Sequence, residues 1–373
     1  MDEKRNAILT IGLICAILLV FMGADLLTED RLFSETENRI LASRPEISKE
    51  TVKNGKYAEK YEEYITDQFV GRDKWIALKT ETDILLQKKD INGVYLGKDG
   101  YLMQQHLPGK YTKAQQIKKT ALLEKLTDEW NAKVMLVPTA DNILTGKLPA
   151  NAEYYDQTAL LGQVAEKIGK EHYIDVYSAL KEHAEEEIYY RTDHHWTSLG
   201  AYYGYITWAE AAGVKPKIYS MNRVRTVTED FLGTLHSRLN IPMKGDRIFY
   251  FPETIKRPVT VTYDFQKKTD SFYEKSYLDT KNKYGFFLDD NHAFIEIDTS
   301  YTNGKTLFVI KDSYANSLIP LLSSHYEKIY VVDLRYYNGG LYDLMEKYKP
   351  EKGMDVLVVY NCIHFLEEFQ FYE

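Results

Sequence analysis

The chain has 373 residues, 44% of them hydrophobic and 27% charged, which is long enough for a large core and too apolar for general disorder. A formal net charge of −8 leaves no excess of basic side chains to neutralise phosphates, which argues against a nucleic-acid partner. The two cysteines, Cys15 and Cys362, supply neither a disulfide framework nor a cysteine-based metal motif.

The first element is an uncharged run at residues 7–24, AILTIGLICAILLVFMGA. As a helix rising about 1.5 Å per residue it spans roughly 27 Å, close to the thickness of a bilayer core. Lys4 and Arg5 precede it, and Asp25, Glu29 and Asp30 follow. The positive-inside bias therefore puts the N-terminus in the cytoplasm and the rest outside. Met22-Gly23-Ala24 lacks the small first residue of a cleavage site, and Ile14 before Cys15 argues against a lipoprotein signal. Residues 1–24 are thus expected to be a retained single-pass anchor, with a cleaved signal peptide as the competing reading.

Residues 25–95 read as a helical stalk. Tyr57, Tyr61, Tyr64, Ile65 and Phe69 recur at three- and four-residue steps, as on the apolar face of a helix. Gly93, Gly97 and Gly100 then punctuate short strands. From about 96 to 373 helical lengths (113–131, 157–171, 177–187) alternate with the runs VMLVP, YIDV, TLFVI, IYVV and VLVVY. Short β-branched runs between helices predict a parallel sheet buried on both faces by helices. Residues 214–304 break the rhythm: they are polar, Tyr-rich and strand-like, and are expected to form an inserted β-rich subdomain. The 31 tyrosines suit sugar-facing surfaces as well as ordinary half-buried sheets.

Two segments carry chemistry. Tyr190-Arg191-Thr192-Asp193-His194-His195-Trp196 stands before a helix, and Lys311-Asp312-Ser313-Tyr314 ends an apolar strand before another. A serine at a strand-to-helix turn sits at the carboxyl edge of the sheet, where α/β folds place ligands. The helix N-terminus behind it offers free N–H groups to a developing oxyanion. A hydroxyl needs a base to become a nucleophile; His195 would serve, with Asp193 fixing its tautomer. The alternative for the same residues is N-capping and solvated pairs. His194 is the competing base. A metal held by Asp193, His194, His195 and Asp141 lacks the spacing of known motifs, and none is expected. Asp141 and Asn142 follow VMLVP at the sheet edge, as substrate contacts or loop caps. Arg238 suits an acidic sugar or an acetyl carbonyl, but equally a salt bridge. Trp196 suits a sugar platform or a core position.

The chain resembles the DHHW family of Gram-positive bacteria, related to the alginate O-acetylation proteins AlgJ and AlgX within the SGNH hydrolase superfamily. The likeness runs through FSETENRILASRP (33–45), DQFVGRDKWIALK (67–79), GKDGYL (97–102), DHHW (193–196), GTLHSR (233–238) and KDSYANS (311–317). It implies an α/β fold with a permuted SGNH-like sheet at 96–373, in which the Asp-x-His precedes the serine. Ser313 is then the nucleophile, His195 the base and Asp193 the orienting acid. Asn361 falls where the superfamily has its oxyanion Asn, beside the Ser313 N–H, with Gly339 or Gly340 as a further donor. Two residues depart from the superfamily pattern. Lys311 stands where Gly is usual and is a candidate for an electrostatic role at the substrate, and Asp-His-His replaces Asp-x-x-His.

The function so implied is extracytoplasmic transfer of acetyl groups to a cell-surface or secreted polysaccharide, with no cofactor. A membrane-bound O-acyltransferase would supply the acetyl groups. An acetylesterase would use the same triad with water, and a non-catalytic polysaccharide-binding scaffold would keep the fold without the chemistry.

Overall fold

Helix α1 (Asp2–Leu27) carries no charged side chain between Arg5 and Asp25. In the computed structural model, which describes residues 2–37 and 39–372, its stretch Glu3–Asp25 has a mean hydropathy of 2.7. None of that stretch is buried, and it is long and apolar enough to cross a membrane. The helix belongs to a unit formed by residues 1–88 and 237–242; residues 89–236 and 243–373 form a second unit.

In the first unit, α2 (Lys56–Gln68) and α3 (Arg72–Leu85) meet at Gly71, whose φ of 70° suits glycine. The buried Asp67 carboxylate accepts from Arg39 Nη1 at 2.8 Å and from the Ala42 N–H at 2.8 Å. Gln68 Nε2 donates to the carbonyls of Arg31 and Ala42, each at 2.9 Å. These bonds tie the 33–45 segment to the end of α2.

The second unit is built on a seven-stranded sheet. Its strands are β1 (Lys133–Val137), β2 (Val259–Tyr263), β3 (Lys267–Thr269), β4 (Phe294–Thr299), β5 (Thr306–Lys311), β6 (Lys328–Asp333) and β7 (Asp355–Asn361), in spatial order β3-β2-β4-β6-β5-β7-β1. Strands β6, β5, β7 and β1 run parallel, whereas β4 is antiparallel to both β6 and β2, and β3 to β2. The sheet is therefore mixed, not wholly parallel as predicted. The link from β4 to β5 spans only residues 300–305, too short for the dozen or so residues of a parallel crossover. Strands β2, β3 and β4 come from the 214–304 stretch and extend the central sheet. Within that stretch Arg225–Phe231 and Asp246–Tyr250 pair apart from it as a two-stranded ribbon, and Tyr273 bridges to Phe287.

Helices α4 (Lys113–Trp130), α5 (Thr158–Ile168), α6 (Val176–Glu182), α7 (Ser198–Ala211), α8 (Leu341–Tyr348) and α9 (Cys362–Glu368) complete the unit. The run YIDV, predicted as a strand, contributes a single bridge, Tyr173 to Val134. Asp175 ends it by accepting from the Ser178 N–H at 3.2 Å and so starting α6. Strand β5 is buried at every position, with Leu307 and Val309 in one core and Phe308 and Ile310 in the other. Burial on both faces is why it reads as an unbroken apolar run. Tyr189, Tyr190, Tyr205, Tyr263, Tyr314 and Tyr360 are fully buried, so much of the tyrosine excess is core rather than sugar-facing surface.

Candidate active site

Ser313 begins a short 3-10 helix directly after β5. Asp312, wholly buried, caps it by accepting from the Tyr314 N–H at 3.0 Å. Its other oxygen accepts from the Asn361 N–H at 2.9 Å and from His364 Nδ1 at 2.8 Å. The carboxyl ends of β5 and β7 are thereby joined. The Asp312 carboxylate is held below the usual range against its burial by His364, and Asp312 in turn raises the His364 imidazole against the same opposition.

Residues 190–195 form a loop closed by the bridge from Tyr189 to Trp196. The buried Asp246 carboxylate accepts from the N–H groups of Arg191 (2.9 Å) and Thr192 (2.7 Å). Helix α7 follows at once, capped by Thr197, and lies so close that a Cβ on Gly200 would stand 2.4 Å from the Ile188 carbonyl oxygen. Trp196 is fully buried in this contact and donates from Nε1 to the Tyr314 carbonyl at 2.8 Å.

The loop and the turn meet at His195. Its Nδ1–H donates to Asp193 Oδ1 at 2.6 Å, which leaves Nε2 to accept from the Ser313 hydroxyl at 2.8 Å. The ring stacks on Tyr284, with centroids 3.8 Å apart and planes 10° from parallel. Tyr284 also donates from its hydroxyl to the Ser313 carbonyl at 3.1 Å, and Tyr314 donates to the carbonyl of His194. Burial pushes both phenols well above the usual tyrosine range, so they remain donors.

Asp193 is saturated. Its Oδ1 also accepts from the His195 N–H at 3.0 Å, and Oδ2 accepts from the N–H and hydroxyl of Thr234 at 2.8 and 3.0 Å. Burial opposes its charge, but His194, His195 and the Thr234 N–H hold it well below the usual carboxylate range. A Cβ on Gly233 would stand 2.3 Å from the Asp193 Cβ, so only glycine admits this approach. Asp193, His194 and His195 place ligand atoms within 4.8 Å of one another. A metal there would compete with four hydrogen bonds already made to Asp193, and the donor set fits an imidazole-orienting carboxylate better.

The structure brings Asp193, His195 and Ser313 together and puts Asn361 beside them. Asn361 Oδ1 caps α9 by accepting from the Ile363 N–H at 2.9 Å, while its Nδ2 is buried without a partner among the described residues. His194, the competing base, faces Thr234 Oγ1 at 2.8 Å instead of Ser313. Lys311 is fully buried and bonds Asn316 at 2.8 Å and Asp333 at 3.3 Å, beneath the turn. Trp196 has no exposed face for a sugar. Arg238 is exposed and belongs to the other unit. Gly340 caps α8. Asp141 is buried against His106, and Asn142 braces its loop through Tyr155 and Gln157. Sequence reading missed Thr234, Asp246, Tyr284 and His106 as members of the site. Only Thr234, within GTLHSR, lay in a recognisable motif.

The model of the DHHW protein family matches residues 126–332, which include Asp193, His195 and Ser313. Among solved structures, a DHHW family protein from Eubacterium siraeum is similar, at 26% identity and a TM-score of 0.61 over 74% of this chain and 93% of that one. PatB1 of Bacillus cereus is 21% identical with a TM-score of 0.59, over 73% of this chain and 98% of its own. It has also been solved with a sulfonyl adduct, at a TM-score of 0.58. Both likenesses to PatB1 speak to the fold. The O-acetyltransferase domain of Pseudomonas putida AlgJ lies further off, at 14% identity and a TM-score of 0.44. No curated protein matches the chain.

Proposed function

The chain belongs to the DHHW family, and on that footing we propose that it is a membrane-anchored O-acetyltransferase with Ser313 as nucleophile. One observation carries the reading: the continuous relay from Asp193 through His195 to Ser313, with contacts of 2.6 and 2.8 Å. Those are the distances that acyl transfer by an activated serine requires.

In the first half-reaction Ser313 Oγ adds to the acyl carbon of an acetyl donor while His195 Nε2 takes the hydroxyl proton. The donor's C–O bond breaks, and His195 returns the proton to the departing alcohol. In the second, a polysaccharide hydroxyl gives its proton to His195 and attacks acetyl-Ser313. The ester bond to Ser313 breaks, and Oγ recovers the proton. Asn361 Nδ2, a buried donor without a partner, and the Ser313 N–H would hold the oxyanion of each tetrahedral intermediate. Neither half-reaction changes an oxidation state, so the chemistry asks for no cofactor.

The parallel half of the sheet, with the Asp-His loop preceding the serine strand in sequence, suits a permuted SGNH sheet. Helix α1 supports a single-pass anchor, and the basic residues before it support an extracytoplasmic enzyme. No acetyl-CoA is supplied there, so a membrane-bound O-acyltransferase would bring acetyl groups across. The acceptor would be a cell-surface or secreted polysaccharide.

The test uses the full chain in detergent, an activated acetyl ester and a sulfonyl fluoride, which traps an activated serine. The parent should form acetyl-Ser313 and accept one sulfonyl group there. Ser313→Ala should lose both, with turnover down at least about 10³-fold, as when a triad nucleophile is removed. Undiminished turnover by Ser313→Ala would sink the reading.

A further inference from the structure

On α3 the usual order of polar and apolar faces is reversed. Trp75, Leu78, Thr82 and Leu85 recur at steps of three, four and three. At about 100° per residue these steps gather the four within an arc of about 80°. The arc points outward: Trp75 is 46%, Leu78 53% and Leu85 82% exposed, and Leu86, next after the helix, is 66% exposed. The buried residues of the helix, Thr80 and Asp83, lie on the other side. Asp73 accepts there from Arg31 Nη1 at 2.9 Å, and Asp83 accepts from Lys88 Nζ at 2.7 Å. A helix packed in water turns its apolar stripe to the core and its polar face to solvent. A contiguous apolar face left exposed marks a surface for a partner or a membrane.

This face is continuous with α1. The Phe21 ring lies 5.7 Å from that of Trp75 and 5.8 Å from that of Phe69, the residue that ends α2. Phe21 belongs to the apolar stretch Glu3–Asp25, four residues before its end. At about 1.5 Å per residue it stands about 6 Å inside that end. An amphipathic helix lying in a membrane surface buries its apolar face about 5–10 Å deep, at the boundary of headgroups and acyl chains. Tryptophan is enriched at that depth, because its ring is apolar and its N–H polar. The contact with Phe21 therefore holds Trp75 at the depth where a surface helix places it. None of Glu3–Asp25 is buried, so whatever surrounds α1 at Phe21 also meets Trp75.

We infer that the outward face of α3 is a second membrane contact, with Trp75, Leu78 and Leu85 entering the lipid headgroup layer beside the emerging end of α1. The inference rests on α1 crossing the membrane, as proposed above, and adds a surface helix to it. Lipid is the occupant because the face begins at the apolar stretch that lipid already surrounds. Residues 72–85 then lie along the bilayer and do not reach away from it as a stalk. A single span can turn about its own axis, whereas a span and a surface helix together fix how residues 1–88 meet the membrane.

The experiment places the full chain in phosphatidylcholine vesicles whose acyl chains carry bromine, a quencher of tryptophan emission, either near the headgroup or near the terminal methyl. Trp196 and Trp208 are buried, and subtracting the spectrum of Trp75→Phe from that of the parent isolates Trp75. Its emission should lie to the blue of a tryptophan in water. Bromine near the headgroup should quench it at least about twofold, and bromine at the terminal methyl less, as a face buried about 5–10 Å deep requires. Leu78→Asp combined with Leu85→Asp should shift the emission to the red and lower the quenching at least about twofold, since interfacial binding scales with buried apolar area. Both positions are exposed, so this variant should keep the parent's thermal midpoint. Trp75 emission unquenched at either depth, from chain that resists alkaline extraction, would overturn the inference and leave the span standing. Blue emission that turns red as the protein is diluted into excess lipid would assign the face to a second copy and overturn it too. If alkali strips the chain from the vesicles, α1 is not a span and both readings fail together.

Discussion

The serine turn and the Asp-His loop reach their geometry by different routes. The turn is mostly self-supporting: Asp312 caps it from one residue before the nucleophile, and Lys311 bonds Asn316 across it. The loop borrows its supports from far along the chain. Asp246 holds the N–H groups of Arg191 and Thr192, Thr234 saturates Asp193, and Gly233 makes room for that carboxylate. Tyr284 braces both, lying against His195 while bonding the Ser313 carbonyl. Half of the site thus depends on residues 230–290, a region with none of the three chemically active side chains. A loop held by borrowed partners is exposed to damage at a distance in a way that a self-capped turn is not.

The sharpest way to break this comparison is Gly233→Ala. The new methyl would overlap Asp193 Cβ and Oδ2, at 2.3 and 2.4 Å, and push the carboxylate off His195. A displacement of about 1 Å at a catalytic group costs about 10²-fold, so kcat on an acetyl ester should fall by that order while sulfonylation of Ser313 also slows. A change of threefold or less would show that the loop does not depend on this approach.

Tyr284 separates the two supports it gives, and the effects are smaller. Tyr284→Phe keeps the stack on His195 and removes the hydrogen bond to the Ser313 carbonyl, a loss of about 1 kcal/mol and hence about fivefold in kcat. Tyr284→Leu removes the stack as well. At about 0.5–1.5 kcal/mol for a ring pair, it should fall a further several-fold. If the two variants are equal, the stack contributes nothing to His195.

Residues that belong to one run of sequence were legible, and residues that converge from separate runs were not. Strands β5, β6 and β7 announce themselves because burial on both faces demands continuous apolar runs. Helix α1 is readable because its length and hydropathy lie in one uninterrupted stretch of sequence. Asp193, His195 and Ser313 stood out because each lies in a compact motif at a helix start. The antiparallel edge formed by β2 to β4 was hidden, since whether a strand extends a sheet or founds another is decided by its partner and not by its own residues. YIDV has the composition of a strand, but the cap at Asp175 overrides it. Tyr284 and His106 carry no local signal. One is a tyrosine among 31, and the other is a histidine whose partner Asp141 lies 35 residues away.

The difference between turn and loop should also appear, most faintly, in how stability follows pH. On the turn, His364 is raised by its bond to Asp312 against the opposition of burial. Its contribution is fully present below the unfolded histidine value, about 6.5, and is lost as pH rises through the folded value, because the native state binds the extra proton there. On the loop, burial first and then His195 push His194 well below the usual range. In that case the unfolded state binds the proton, so stability is complete above about 6.5 and declines as pH falls below it. The two histidines therefore act with opposite sign. Denaturant titrations should show His364→Gln costing more stability at pH 5.5 than at pH 9. His194→Gln should compare better with the parent at pH 5.5 than at pH 9, because the variant no longer withholds a proton that the unfolded chain would take. Parallel pH profiles for the two variants would remove the electrostatic distinction between turn and loop and leave only the steric one tested by Gly233→Ala.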